Sequence, residues 1–236
     1  MKNFKMLSVA AGAMMLIGGS AKAADLYTPM PEPAPVYTGG WYFSAFGGAN
    51  WLDKTSFDID PGVPVRNSYD TGYVVGGAVG YDFGQAMGPL GMRIEGEVSY
   101  RNNSVKSHAI DGGAPISGSD AFGETSALAG MANILFDLNT GMPFSIYGGG
   151  GIGAANVEFD GHGVTAAGVV MDDDQTVFAW QAIAGMGYEI TPNMVLDVQY
   201  RYFNASSVSL TDASGLFSSS TDYKSHAVLG GIRFKF

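Results

Sequence analysis

The chain has 236 residues and a formal net charge of −10, a length that suits one large domain or two small ones. Its 35 glycines and 12 tyrosines argue against a helical bundle, and its 46% hydrophobic content argues against disorder. The absence of cysteine excludes disulfides and thiolate chemistry, and the acidic charge balance disfavours nucleic acid as a partner.

The N-terminal residues have the pattern of a secretory signal peptide. Lys2 and Lys5 precede an apolar run, 6–19, which is shorter than the roughly 20 residues of a membrane-spanning helix. The small-x-small sequence AKA ends at Ala23, so we predict that residues 1–23 are removed by cleavage between Ala23 and Ala24. An uncleaved membrane anchor is the alternative.

A proline-rich segment comes next. Its prolines occupy every second position from Pro29 to Pro35, which favours an extended polyproline II conformation and excludes a helix or a central strand. We interpret residues 24–38 as a periplasmic linker and residues 39–236 as one barrel domain.

From Trp41 onward, eight segments alternate between apolar and polar residues with a period of two, which indicates β-strands. In the third segment, for example, Ile94 and Val98 alternate with Arg93, Glu95 and other polar residues. The segments span about 41–51, 72–84, 90–101, 125–138, 144–157, 176–190, 194–203 and 223–236.

The connections between these segments alternate in length. Residues 84–89, 139–143 and 191–193 are short and rich in Gly, Pro and Asn, which is turn chemistry. The long connections are polar loops at 52–71, 102–124, 158–175 and 204–222. Short turns therefore lie at one end of an antiparallel sheet and long loops at the other.

A period of two does not say which face of the sheet is inside. Three features indicate that the apolar face meets lipid: aromatic residues cluster near strand ends, the polar face carries charges of both signs, and most segments reach the 9–11 residues that cross a bilayer. A sheet in hydrocarbon must close on itself. We therefore predict an all-β, eight-stranded antiparallel up-and-down transmembrane β-barrel, with a soluble barrel as the alternative.

The stretches MRIEGEVSYR, WQAIAGMGYEITPNMVLDVQYRYF and HAVLGGIRFKF resemble the small outer-membrane β-barrels of Gram-negative bacteria, in particular the alphaproteobacterial porin-family surface antigens. The resemblance covers nearly all of residues 39–236. It implies localisation in the outer membrane, short turns in the periplasm and long loops outside. It also implies that the barrel-assembly machinery recognises the last strand through Gly231, Phe234 and Phe236.

The interior of an eight-stranded barrel is just wide enough for side chains. We therefore predict a network of ion pairs that closes the lumen, with a constricted pore as the alternative. The network is predicted to comprise Arg93, Glu95, Glu97, Arg101, Asp137, Glu189, Asp197, Arg201, Arg233 and Lys235. Asp82, Asp137, Glu189 and Asp197 are the expected partners of Arg233 and Lys235. Because Ile232 faces lipid, we expect Ile232→Arg to harm assembly far more than Arg233→Gln.

No catalytic residue is predicted. His108 and His162 fall in the long loops, whereas His226 shares the lipid-facing row and its neighbour Ser225 points to the other face, so they form no nucleophile–base pair. The run Asp172–Asp174 lacks the ligand spacing of a calcium loop, and Gly148–Gly151 lies within a strand with no helix following. We predict no metal and no cofactor, haem included.

These patterns favour a surface protein with a structural role in envelope integrity and loop-mediated interactions. The expected partners are outer-membrane lipid and lipopolysaccharide, the barrel-assembly machinery, and possible host or environmental ligands at the long loops. A narrow porin for small solutes is one alternative, and a lipid-modifying outer-membrane enzyme is another.

Overall fold

The computed structural model describes residues 39–58, 64–85, 89–110, 116–117, 121–164, 168–211 and 218–236. The predicted signal peptide and linker, together with the cleavage position at Ala23 and Ala24, lie outside these residues. Within the described part of the chain, no helix is long and apolar enough to cross a membrane.

The described residues form eleven strands. They are β1 (Gly40–Leu52), β2 (Thr55–Asp58), β3 (Pro64–Tyr69), β4 (Gly72–Asp82), β5 (Leu90–Ile110), β6 (Ile116–Ser117), β7 (Ala121–Asn139), β8 (Phe144–Val164), β9 (Gly168–Thr191), β10 (Met194–Thr211) and β11 (Ser218–Lys235).

Eight of these strands form a closed ring in the order β1, β4, β5, β7, β8, β9, β10, β11. Each strand of the ring is antiparallel to both neighbours. The ring closes between the first and last strands, in a register that runs from Tyr42 opposite Lys235 to Leu52 opposite Ser225. The predicted eight-stranded antiparallel up-and-down barrel is confirmed.

Several strands are longer than predicted. β5, β7, β8, β9, β10 and β11 continue into segments that we expected to be loops, and β8 and β9 remain paired as far as Val164 opposite Gly168. β2, β3 and β6 also lie in predicted loops and pair with each other or with the extension of β5. The loop prediction was wrong there, because beyond the membrane neither face of a strand has to be apolar and the period of two disappears.

The two faces of the ring differ as the sequence pattern predicts. On β5, Arg93 and Glu97 are 2% and 3% exposed, whereas Ile94 and Val98 are 44% and 61% exposed. Charged residues therefore point into the barrel and aliphatic residues cover its outside, which is the arrangement of a membrane barrel.

Aromatic side chains form two outward-facing girdles. Trp51 lies ten residues beyond Trp41 on β1, and Tyr81 lies eight residues beyond Tyr73 on β4. At about 3.3 Å per residue and a tilt of about 40°, ten residues rise about 25 Å, the height of an apolar band. The lower girdle, near the short turns, contains Trp41, Phe43, Tyr81, Phe83, Tyr188, Phe234 and Phe236. The upper girdle contains Trp51, Tyr73, Tyr100, Phe178, Trp180, Tyr200 and Tyr202.

Candidate functional site

The half of the lumen nearest the short turns contains a buried ion-pair network. Arg93 binds Asp137 through two hydrogen bonds, from Nε to Oδ2 at 2.6 Å and from Nη2 to Oδ1 at 3.0 Å. Its Nη1 atom lies 3.4 Å from Oε1 of Glu95, and the same oxygen accepts a 2.7 Å hydrogen bond from the Tyr42 hydroxyl. This paired geometry satisfies both carboxylates, which is required of charges removed from water.

A second ion pair lies beside the first. Arg233 donates hydrogen bonds of 3.0 and 3.3 Å to the two carboxylate oxygens of Asp197. The guanidinium carbons of Arg93 and Arg233 each lie 5.6 Å from the ring centre of Tyr42. They lie 4.8 and 6.0 Å from the ring centre of Tyr147. Two tyrosine rings therefore hold the two cations in place through cation–π contacts.

The third ion pair lies further along the lumen and joins Arg201 to Glu97. The second carboxylate oxygen of Glu97 accepts hydrogen bonds from Asn133 at 2.9 Å and from Gln181 at 3.3 Å. Gln181 also donates to Oδ1 of Asn133 at 2.8 Å, and the Arg201 guanidinium lies 4.2 Å from the ring centre of Phe46. The carboxylate of Glu97 on β5 therefore contacts side chains from three other strands, β7, β9 and β10.

Glycines on β8 make room for the inward-facing side chains of the neighbouring strand β7. A Cβ atom on Gly153 would lie 2.9 Å from Sδ of Met131, and one on Gly149 would lie 2.9 Å from a methyl carbon of Leu135. Both distances are shorter than van der Waals contact. The glycine-rich run of β8 therefore allows the inward side chains of β7 to fill the lumen.

The structure brings together seven of the ten predicted network residues. They are Arg93, Glu95, Glu97, Asp137, Asp197, Arg201 and Arg233. Lys235 and Glu189 pair at 3.4 Å on the short-turn rim, where the Glu189 side chain is exposed, so they lie at the edge of the lumen. Asp82 accepts a hydrogen bond from the backbone N–H of Gly84 and stabilises the turn. Arg101 lies apart from the network.

Sequence reasoning missed the two tyrosines that contact the ion pairs. Tyr42 and Tyr147 lie on β1 and β8, whose glycine and alanine content obscures which face is inward. The pairing of β1 and β8 with their neighbouring strands shows that these two side chains point inward. That pairing is known only once the fold is known.

The half of the lumen nearest the long loops contains an apolar cluster, which lies beside buried polar residues such as Asn50, Asn103 and Thr125. The residues of this cluster are mostly small, so alternation along the chain indicates their facing only weakly. This cluster consists of Leu52, Ala127, Ala129, Met131, Ala155, Val157, Phe159, Ala179, Phe203, Ala205 and Tyr223.

A cavity of about 20 Å³ lies within the ion-pair network. It has room for about one water molecule and is too small for a solute. Its lining includes Phe46, Arg93, Glu95, Leu135, Tyr147 and Arg201.

Ser225 and His226 lie on opposite sides of the barrel wall. Ser225 is buried inside, whereas His226 lies outside in the upper girdle and its Nδ1 is 2.6 Å from the Tyr200 hydroxyl. Nε2 of His226 is 3.8 Å from a carboxylate oxygen of Asp53. This serine and this histidine therefore do not form a nucleophile–base pair.

The side chains of His108 and His162, and those of Asp172 and Asp173, lie outside the described residues. Among the side chains that are described, no group of three or more His, Asp or Glu residues could hold a metal ion.

The end of the last strand directs Phe234, and Phe236 after it, to the outside of the barrel. The rings of Phe234 and Phe236 lie 4.9 and 5.8 Å from the ring of Phe43 on β1. A Cβ atom on Gly231 would lie 3.1 Å from Cβ of Phe46, so a larger residue there would crowd the seam between β11 and β1. Recognition of these residues by the assembly machinery stays a prediction.

Comparison with known proteins gives matches over most of the chain. A family model described as outer membrane protein beta-barrel domain matches residues 11–236. An uncharacterised protein of Brucella abortus (strain 2308) is 27% identical over an alignment of 282 residues, which covers 95% of this chain and 97% of that protein. The 22 kDa outer membrane protein of Rhizobium leguminosarum bv. viciae is 26% identical over 204 residues, covering 86% and 83% of the two chains. The crystal structure of the outer membrane protein OprG from Pseudomonas aeruginosa has a TM-score of 0.52 and 16% identity, covering 84% of this chain and 97% of that one, a likeness that concerns the fold alone.

Proposed function

Because this chain belongs to the outer membrane protein beta-barrel domain family, and is therefore a β-barrel of the outer membrane, we propose that it is a surface protein with a closed barrel and interacting extracellular hairpins. The packed lumen is the observation that carries the proposal. A closed barrel anchors the chain and adds to envelope integrity without opening a path through the membrane. External ligands would then be bound by the hairpins that project from the barrel beyond the membrane.

The energetics of the network support a closed lumen. Each of its three ion pairs is buried, and a buried charge left without its partner costs about 3–5 kcal/mol. A state with even one pair separated would therefore be populated at about 1% or less. The apolar cluster further along the lumen adds a second packed layer. These features favour a closed anchor over a narrow porin.

The extracellular hairpins are extended ladders. On β9, twelve residues separate Trp180 in the upper girdle from Gly168 at the end of the strand, about 40 Å at 3.3 Å per residue. Glu158, Asp160 and Asp174 are exposed on the β8–β9 hairpin. A paired, acidic hairpin offers an ordered surface for ligands, and its charge favours basic ones.

The upper girdle suits contact with lipopolysaccharide and other lipids of the outer leaflet. Trp51, His226 and Tyr202 lie side by side on three neighbouring strands. Trp180 and Tyr200 extend this row, with ring centres 5.3 Å from Tyr202 and 6.0 Å from His226. Rings that carry polar atoms are favoured at the level of lipid headgroups. Recognition of the last strand by the barrel-assembly machinery is proposed on the resemblance described above.

Planar-bilayer recordings on the refolded chain test the closed barrel. We expect no stable conductance beyond brief events, because the ion pairs would have to separate. Stable, large conductance that appears only with folded protein would refute the proposal and favour the porin. Protease accessibility of the β8–β9 hairpin on intact cells tests surface display, and protection of the hairpin would argue against interaction with external ligands.

A further inference from the structure

Arg101 differs from the other buried arginines of the barrel. Four arginines are buried, and three of them form ion pairs with carboxylates in the network described above. Arg101 is 1% exposed and makes one hydrogen bond, from Nη1 to Oγ of Ser99 at 3.0 Å. Its guanidinium lies 3.8 Å from the ring centre of Phe203, and its Nε has no hydrogen-bond partner.

The strands beside Arg101 explain why its charge is unpaired. Val74 on β4 and Ala127 on β7 lie directly opposite Arg101 and are fully buried. Neither side chain has a polar atom. The contact with Phe203 stabilises the cation in part, but a charge in apolar surroundings requires a partner of opposite sign.

Other buried polar groups near Arg101 also lack partners. Tyr223 packs edge-on against Phe203, the ring that Arg101 contacts, with ring centres 6.0 Å apart, and its hydroxyl lies beside Asn50 and Ser225. The Tyr223 hydroxyl, Oγ of Ser225 and Oδ1 of Asn50 lie close together but form no hydrogen bond of good geometry. The two hydroxyls and Asn50 Oδ1 can satisfy one another or turn toward an added acceptor, whereas the Nε–H of Arg101 remains a free donor.

We propose that Arg101, Tyr223 and Ser225 form a binding site for a small monovalent inorganic anion, such as chloride, in the half of the lumen nearest the long loops. The anion supplies the negative charge that Arg101 lacks and accepts the free N–H and O–H donors. The neighbouring small and apolar residues favour a compact ion over a tetrahedral one such as sulfate. This site rests on the closed lumen of the proposed function, because in an open pore the same anion would be conducted through the barrel and not held at Arg101.

Chloride-35 NMR line widths measure this binding directly on the refolded full-length chain in detergent. We expect the wild-type protein to broaden the chloride line saturably, with bromide and nitrate competing and sulfate not competing. Arg101→Gln should abolish this broadening. Lys106→Gln, which removes an exposed cation from the same strand, should leave it unchanged.

A second variant and a second readout keep the test decisive if Arg101→Gln does not fold. Tyr223→Phe should weaken chloride binding about tenfold, since a hydrogen bond to a charged group is lost. The thermal midpoint of the wild-type protein should rise by several degrees when chloride replaces gluconate at constant ionic strength. Absence of saturable broadening in the wild type, or equal broadening in wild type and Arg101→Gln, would overturn the site. Bilayer conductance is a separate measurement, so an open lumen and a missing anion site are distinguishable.

Discussion

The ion pair between Arg233 and Asp197 provides a sharp test of how the lumen is stabilised. The two side chains share two hydrogen bonds of 3.0 and 3.3 Å, and both are buried. Arg233→Gln leaves a buried carboxylate without a cation, and Asp197→Asn leaves a buried guanidinium without an anion. Each single change should cost about 3–5 kcal/mol, a factor of about 10²–10⁴ in the folding equilibrium.

The double variant Arg233→Gln/Asp197→Asn should cost clearly less than the sum of the two single changes, because two neutral amides can hydrogen-bond where the ion pair was. We expect a coupling energy of about 2–3 kcal/mol between the two positions. Urea titrations of the barrel in lipid vesicles, followed by tryptophan fluorescence, measure all four free energies. Single changes that cost under about 1 kcal/mol each and add in the double variant would refute the reasoning, since an interaction of this kind cannot be additive.

Three further predictions use the same unfolding assay or the change in gel mobility on boiling. Ile232→Arg places a charge on the lipid face between the girdles and should cost about 2–4 kcal/mol, whereas Ile232→Val should cost under about 1.5 kcal/mol. Gly153→Ala should reduce the folded band strongly, because its Cβ would overlap the backbone carbonyl oxygen of Gly130 and lie 2.9 Å from Cα of Met131. Gly130→Ala is the matched control, since a Cβ there meets nothing within 4 Å, and equal yields for these two variants would argue against tight packing. Replacing residues 161–171 with an Asn-Gly turn should leave the folded band intact, because the ring lies below this hairpin; loss of the band would show that the hairpin is needed for folding.

The structure revises one expectation about these substitutions. From the sequence, Ile232→Arg was expected to be far more harmful than Arg233→Gln. The burial of Arg233 and its two hydrogen bonds to Asp197 raise the expected cost of Arg233→Gln to a similar size. We therefore expect a lipid-facing residue and a lumen-facing residue of this strand to be comparably sensitive to substitution.

The sequence by itself determined the eight strands of the ring, the facing of most of them and the membrane environment. Within the bilayer one face must be apolar and the other can be polar, so Ile94 and Val98 alternate visibly with Glu95 and Glu97. Above the upper girdle this constraint ends, and the extensions of β8 and β9 therefore had no signal in the sequence.

Only the tertiary structure decided which charges meet and which remain unpaired. Ion pairs such as Arg201–Glu97 join residues 104 positions apart, and their contact depends on ring closure and on the register of every intervening strand. Alternation shows that Arg101 points inward but not that Val74 and Ala127 stand opposite it. Local periodicity records the solvent on each face of a strand, whereas pairing inside a closed barrel depends on distant strands that meet only after folding.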